Sequence, residues 1–192
     1  QYFESLEKAQ NPKTLVVACC DSRVDPAILL HCKPGDLFVI RNVAALVPAV
    51  TQASNPCSVM SAIEYGVKHL NVEHIVVMGH SHCGGIHGLM APETIAGETY
   101  IQDWVSIASP ALERLQAMTG DKDEKTRSRH CEEGAVLISL DNLLSYPWIA
   151  ERVKNGQLKL HALYYDLSEG NLYRFSPDSE DFELLFHTIE NP

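Results

Sequence analysis

The sequence has 192 residues, of which 45% are hydrophobic and 21% are charged, and its formal net charge is −10. This length is typical of one globular domain with a core of its own. The acidic balance, without a basic stripe, argues against a nucleic-acid partner, and no apolar run approaches the roughly 20 residues that span a membrane.

The predicted elements alternate between helices and strands along the chain. Helical spacing of apolar residues predicts a helix over residues 1–10, and an apolar run predicts a strand over 14–18. A helix that opens with Asp25 as its cap and Pro26 at its first position follows, then a strand over 36–40 and a long irregular connection over 41–54. Asn55-Pro56 is predicted to start a helix that reaches Leu70, and a third strand covers 74–78.

The second half of the chain continues this alternation. Helices are predicted to start at Thr99 and at Ser109-Pro110, and two more are predicted over 136–144 and 148–154. Residues 158–165 form a fourth predicted strand, and residues 172–175 an antiparallel one after a turn. The pattern predicts an α/β fold with a mainly parallel β-sheet of about four strands plus an antiparallel edge strand, flanked by helices. No internal repeat or linker divides it, so we predict a single domain over residues 1–192.

Two polar motifs follow two of the predicted strands. Cys19-Cys20-Asp21-Ser22-Arg23 follows the first, and His80-Ser81-His82-Cys83-Gly84-Gly85 follows the third. Sites in parallel sheets form at the carboxyl ends of the strands, so the motifs meet if these two strands are neighbours. Zinc favours thiolate and imidazole ligands, and catalytic zinc keeps one position open for water. We therefore predict one Zn²⁺ ion per chain.

Cys19, His80 and Cys83 are the predicted zinc ligands. Adjacent residues on an extended segment point to opposite faces, so only one of Cys19 and Cys20 can readily face the metal. His82 is the rival of His80, which directly follows the strand and stands two residues from Cys83 in a chelating turn. If no metal binds, the first motif would be a surface turn with an ion pair, and the second would be a helix start with a buried thiol.

Asp21 and Arg23 are the predicted catalytic pair. Asp21 lies two residues after a predicted ligand, so its carboxylate can reach the open side of the metal. It either accepts a hydrogen bond from zinc-bound water or ligates zinc itself. Arg23 can hold this carboxylate in a charge-assisted pair, which would keep it ionised and fix its direction. A plain surface ion pair is the alternative.

Taken together, the motifs resemble those of the β-class carbonic anhydrases. The resemblance rests on residues 19–24 and 79–86, and extends to residues 34–36, 41–44 and 61–65, so that it covers about residues 10–175. It implies zinc held by Cys19, His80 and Cys83 beside an Asp21–Arg23 dyad. It also implies reversible hydration of carbon dioxide to bicarbonate and a proton, by a zinc-bound hydroxide that the dyad orients.

The same resemblance implies how copies of the chain assemble and to which subgroup of the family the chain belongs. The family forms dimers, often paired into tetramers, with N-terminal helices that wrap a partner, and residues 1–12 would be the remnant of such an arm. In the plant-like subgroup a Gln, a Phe and a Tyr line the carbon dioxide pocket, and Gln10, Phe38 and Tyr65 match them. Gly84 is expected to bind substrate by letting the backbone approach the site, where N–H groups could favour bicarbonate.

A second subgroup differs at the residue three positions before the first ligand. It carries a Trp there, which forms a bicarbonate inhibition site with an Arg and a Tyr. This chain has Arg41 and a candidate Tyr165, but Val16 replaces the Trp. We therefore expect an open metal site without that inhibition site.

Two other functions and the compartment stay open. The same site could hydrolyse carbon disulfide if access is narrow, or the chain could be a non-catalytic zinc or bicarbonate sensor if the open position were filled. The six sparse cysteines suit a reducing compartment, and we expect a cytoplasmic protein. The sequence starts with Gln1, so an upstream segment that targets an organelle stays open.

Overall fold

A six-stranded sheet forms the centre of the part of the chain that the computed structural model describes, namely residues 2–53, 57–118 and 123–187. Its spatial order is β2-β1-β3-β4-β5-β6. The strands are β1 (Thr14–Cys19), β2 (Leu37–Asn42), β3 (His74–His80), β4 (Lys159–Asp166), β5 (Asn171–Ser176) and β6 (Asp181–His187).

The sheet has a parallel half and an antiparallel half. Strands β1 to β4 pair in parallel, and β4, β5 and β6 pair antiparallel. This confirms the predicted parallel sheet of four strands and the predicted strand near residues 172–175. It adds β6 as a second antiparallel strand, which the sequence did not predict. Strands β1 and β3 are direct neighbours, as the meeting of the two motifs requires.

Eight helices lie among the described residues. They are α1 (Tyr2–Glu7), α2 (Pro26–Leu29), α3 (Ser58–Lys68), α4 (Gly84–Met90), α5 (Thr99–Val105), α6 (Ser109–Ala117), α7 (Glu124–Leu144) and α8 (Pro147–Lys154). Asp25 caps α2 as predicted, because its side chain accepts from the N–H groups of Ala27 and Ile28. The predicted start at Asn55-Pro56 lies outside the described residues. No described helix is long and apolar enough to cross a membrane.

Two cores, one on each face of the sheet, explain the continuous apolar runs of β1 and β3. Leu15 and Val17 belong to one core, and Val16 and Ala18 to the other. Since both faces are covered, neither strand shows the alternation of a half-exposed strand. The carboxyl ends of β1 and β3 emerge side by side, and the predicted site lies there.

The segment after β2 reaches the same end of the sheet. Strand β2 continues through Asn42, and a short 3₁₀ turn, Val43–Ala45, follows. Ala44 and Ala45 have φ values of 64° and 55°, in the left-handed region that non-glycine residues rarely occupy. Such a backbone persists only where its surroundings hold it in place.

Candidate metal centre

The structure brings the three predicted ligands together. Cys19 ends β1, His80 ends β3, and Cys83 precedes α4. Their ligand atoms all lie within 4.8 Å of one another, and all three residues are buried. Cys20 and His82, the rivals in the sequence, are exposed. Cys20 therefore points away from Cys19, as the alternation along an extended chain predicts. His82 lies in the turn after β3, with a φ of 56°.

His80 is oriented by its own turn. Its Nδ1 lies 2.8 Å from the carbonyl oxygen of Ser81. A carbonyl can only accept, so Nδ1 carries the proton and Nε2 presents its lone pair. Nε2 is buried and has no hydrogen-bond partner among the described residues. An orphaned imidazole nitrogen beside two buried sulfurs is the donor set that zinc prefers.

Backbone N–H groups prepare Cys19 for the thiolate form. The N–H of Asp21 lies 3.4 Å from its Sγ, and the N–H of Ala44 lies 3.3 Å from the same atom. The Cys83 side chain and these N–H groups lower the pKa of Cys19, although burial opposes the shift. The thiolate is the form that binds metal. The left-handed backbone of Ala44 thus accompanies an N–H group directed at a predicted ligand.

Asp21 and Arg23 form a bidentate pair beside the ligands. The Arg23 Nε donates to Asp21 Oδ1 at 2.9 Å, and Nη2 donates to Oδ2 at 2.7 Å. These bonds hold the pKa of Asp21 well below its usual range, although burial opposes them. Asp21 Oδ2 lies 3.9 Å from Nε2 of His80. Arg23 Nη2 also donates to the carbonyl of His82, so the dyad joins both motifs.

Glu132 of α7 supports the second motif, although neither motif in the sequence points to it. Its side chain is buried, accepts from the Cys83 N–H at 3.2 Å and accepts from the Tyr164 hydroxyl at 2.7 Å. The pKa of Glu132 is raised by burial, against these bonds. A signal existed, because Glu132 and Glu133 lie just before the apolar residues 135–138 of the same helix. No spacing in the sequence connected them with Cys83.

Of the predicted substrate-binding residues, Phe38 and Tyr65 are placed apart from the predicted metal ligands, whereas Gly84 lies beside one of them. Phe38 and Tyr65 lie together, with ring centroids 6.1 Å apart. Phe38 is in register with Leu15, four residues before Cys19 on β1, which is about 13 Å along a strand. Gln10 is exposed between α1 and β1. Gly84 begins α4, next to Cys83, and a Cβ built on it would meet nothing within 4 Å.

Comparison with known sequences identifies the family. The family model described as carbonic anhydrase matches residues 14–172. Beta carbonic anhydrase 5, chloroplastic, from Arabidopsis thaliana is 40% identical over 179 residues, which are 93% of this chain and 59% of that protein. Beta carbonic anhydrase 6, mitochondrial, from the same plant is 40% identical over 94% of this chain and 63% of its own length. The chain thus spans about three fifths of these relatives.

Solved structures agree with the sequence comparison. The β-carbonic anhydrase CcaA has a TM-score of 0.85 at 31% identity, over 95% of this chain and 88% of that one. A tetrameric β-carbonic anhydrase from Sordaria macrospora has a TM-score of 0.73 at 30% identity, over 96% of this chain and 85% of that one. The resemblance predicted from the two motifs is therefore confirmed across the fold, and the chain belongs to the β-class carbonic anhydrase family.

Proposed function

We propose that this chain catalyses the reversible hydration of carbon dioxide to bicarbonate and a proton, with zinc held by Cys19, His80 and Cys83. One observation carries the proposal. A buried Cys-His-Cys set lies beside a carboxylate that an arginine keeps ionised, with Asp21 Oδ2 3.9 Å from His80 Nε2. A purely structural zinc site would need a fourth strong protein ligand in that direction.

Bound zinc would supply Lewis acidity, which lowers the pKa of a water molecule to about 7 in a three-histidine carbonic anhydrase site. The two thiolates offset the double charge of the metal, so this centre should be the weaker Lewis acid. Activity should consequently rise with pH and be poor under acidic conditions.

Asp21 orients the attacking oxygen in this proposal. An ionised carboxylate only accepts hydrogen bonds, so it can hold the proton of the nucleophile and direct a lone pair toward the substrate. Arg23 donates to both carboxylate oxygens, which fixes the plane of the group. Because Arg23 already binds both of its oxygens, Asp21 is better suited to accept a hydrogen bond from the nucleophile than to ligate the metal.

The substrate-pocket roles of Gln10, Phe38, Tyr65 and Gly84 stay predictions. Phe38 and Tyr65 do not reach the metal ligands within one chain, so a role in the pocket would require a second copy. Tyr65 is 45% exposed, as is suitable for such a contact. We propose self-association as a dimer or tetramer, which light scattering after size exclusion would measure. The cytoplasmic placement and the single domain over residues 1–192 also stay predictions.

Stopped-flow hydration assays from pH 6 to 9 test the function. We expect the zinc-loaded chain to hydrate carbon dioxide with a rate that rises with pH, and Asp21→Asn to lose at least about tenfold. Glu73→Gln is the matched control, because Glu73 is also bonded to a cation, Lys13, but is exposed at the other end of β3. It should keep the wild-type rate.

The outcomes separate the remaining functions. A rate that is flat from pH 6 to 9 would contradict the proposed zinc chemistry. Turnover of carbon disulfide without turnover of carbon dioxide would establish the alternative hydrolase. A zinc-loaded chain that turns over neither gas would point to a sensor.

A further inference from the structure

Arg41 of β2 contacts the whole turn that carries the catalytic pair. Its Nε donates to the carbonyl of Cys19 at 2.9 Å, and its Nη2 donates to the carbonyls of Asp21 at 2.6 Å and Val24 at 3.0 Å. Its Nη1 lies 3.5 Å from Oδ2 of Asp25. One guanidinium therefore binds both ends and the middle of residues 19–25.

This turn has little regular structure of its own. Its backbone bonds include Cys20 N–H to the carbonyl of Asn42 and Val24 N–H to the carbonyl of Asp21. The carbonyls of Cys19, Asp21 and Val24 also accept from a side chain, in addition to the bond that Asp21 receives from Val24. Arg41 supplies these side-chain donors from the neighbouring strand, where it is in register with Ala18.

Asp21 is consequently fixed at two points. Arg23 holds its carboxylate, and Arg41 holds its carbonyl. Arg23 belongs to the same turn and is 52% exposed, so it moves with the turn that it braces. Arg41 is anchored in the sheet, and its side chain is 30% exposed. The position of the dyad relative to the metal ligands therefore depends on Arg41.

We propose that Arg41 is a positioning residue for the hydration reaction, acting through Asp21; this rests on the proposed function. It fixes the backbone of residues 19–25, so that the Asp21 carboxylate faces the open side of the ligand set. The same contacts make Arg41 a poor anion receptor, because its Nε and Nη2 already bind carbonyls. Lysine cannot substitute fully, since an ammonium lacks the planar fork that reaches several acceptors at once.

A double-mutant cycle in stopped-flow hydration assays tests the proposal. Arg41→Ala should lower kcat/KM by about 10- to 100-fold, because small misplacements of a catalytic group are costly. It should keep its zinc, measured by atomic absorption. The double variant Arg41→Ala/Asp21→Asn should be within about threefold of Asp21→Asn alone, since residues that act as a unit are non-additive. Arg152→Ala, which removes an arginine bonded to Asn71, is the control.

Several results would overturn the assignment. Losses that multiply in the double variant would show that Arg41 acts independently of Asp21. An unchanged kcat/KM in Arg41→Ala would show that the contacts do not matter for the reaction. Loss of zinc from Arg41→Ala would assign it to holding Cys19 instead. If Arg41→Ala does not fold, Arg41→Lys is judged by the same three criteria.

Amide hydrogen exchange gives a readout that does not depend on activity. In Arg41→Lys, exchange at residues 20–25 should rise about tenfold or more, while exchange in β3 and α7 stays unchanged. No change, or an equal rise throughout the chain, would refute the positioning role. Wild-type protein without hydration activity would refute the proposed function alone, because the exchange result would still report on the turn.

Discussion

Gly85 and Gly84 form a matched pair that tests how closely α4 packs on the metal centre. They are the first two residues of α4, and neither has a positive φ. A Cβ on Gly85 would lie 2.7 Å from Val43 Cγ1 and 3.1 Å from the Ala44 Cβ. A Cβ on Gly84 would meet nothing within 4 Å. We therefore expect Gly85→Ala to be harmful and Gly84→Ala to be tolerated.

The size of the effect follows from these distances. Carbon atoms pack at about 3.5–4.0 Å, so Gly85→Ala requires Val43 or α4 to move by roughly 1 Å. Overpacking of this kind costs about 1–3 kcal/mol. Replacing Gly by Ala in a helix gains up to about 1 kcal/mol, and this gain is shared by both variants. The difference between the two free energies of unfolding should therefore be about 1–3 kcal/mol.

Urea unfolding of both zinc-loaded variants measures this difference, and zinc dissociation into a chelator measures its effect on the site. Displacement of Ala44 would lengthen the bond from its N–H to Cys19 Sγ, so zinc should leave Gly85→Ala faster than Gly84→Ala. Equal stability and equal dissociation rates in the two variants would refute the inference that close packing of α4 organises the ligands.

Three further predictions concern the ligands and their neighbours. Cys19→Ser should lose zinc on desalting whereas Cys20→Ser should keep about one zinc per chain; the opposite result would overturn the ligand assignment. Glu132→Ala leaves the Cys83 N–H without its acceptor, which should lower the free energy of unfolding by about 1–3 kcal/mol; Glu132→Gln keeps an acceptor oxygen and should lose less in urea unfolding. The depressed pKa of Asp21 gives stability that is present above the unfolded value of about 3.9 and is lost as pH falls through the folded value. Asp21→Asn should therefore lose the same stability at pH 5 as at pH 8, and a deficit that vanishes at pH 5 would contradict the pairing with Arg23.

The strands that could be predicted are those whose burial is uniform. Strands β1 and β3 are covered on both faces, so each leaves an unbroken apolar run that the sequence displays directly. Strand β6 was not predicted because its apolar residues are not confined to one buried face of the strand. Phe182 is buried, but Leu184, Leu185 and Phe186 are 50%, 42% and 36% exposed. An edge strand with one partner carries too weak a periodic signal to be separated from a loop.

The site divides in the same way between short-range and long-range information. Cys19, Asp21 and Arg23 lie within five residues, and His80 and Cys83 within four, so local spacing was enough to select them. The contact of Glu132 with Cys83 spans 49 residues, and that of Arg41 with Cys19 spans 22. Such contacts depend on which helix or strand packs beside each motif, and on how far a side chain reaches. Neither is encoded in the spacing of a motif.

The two long-range supports act on different parts of the centre, so metal binding should be separable from the placement of the proposed catalytic carboxylate. Glu132 binds the backbone of Cys83, so its removal should disturb a ligand. Arg41 binds the carbonyl of Asp21, which is not one of the three ligands, and should alter turnover while zinc stays bound. The carbonyl of Cys19 accepts from Arg41, and its Sγ accepts from the N–H of Ala44. Cys19 is therefore the residue at which changes in metal affinity and changes in turnover should remain coupled.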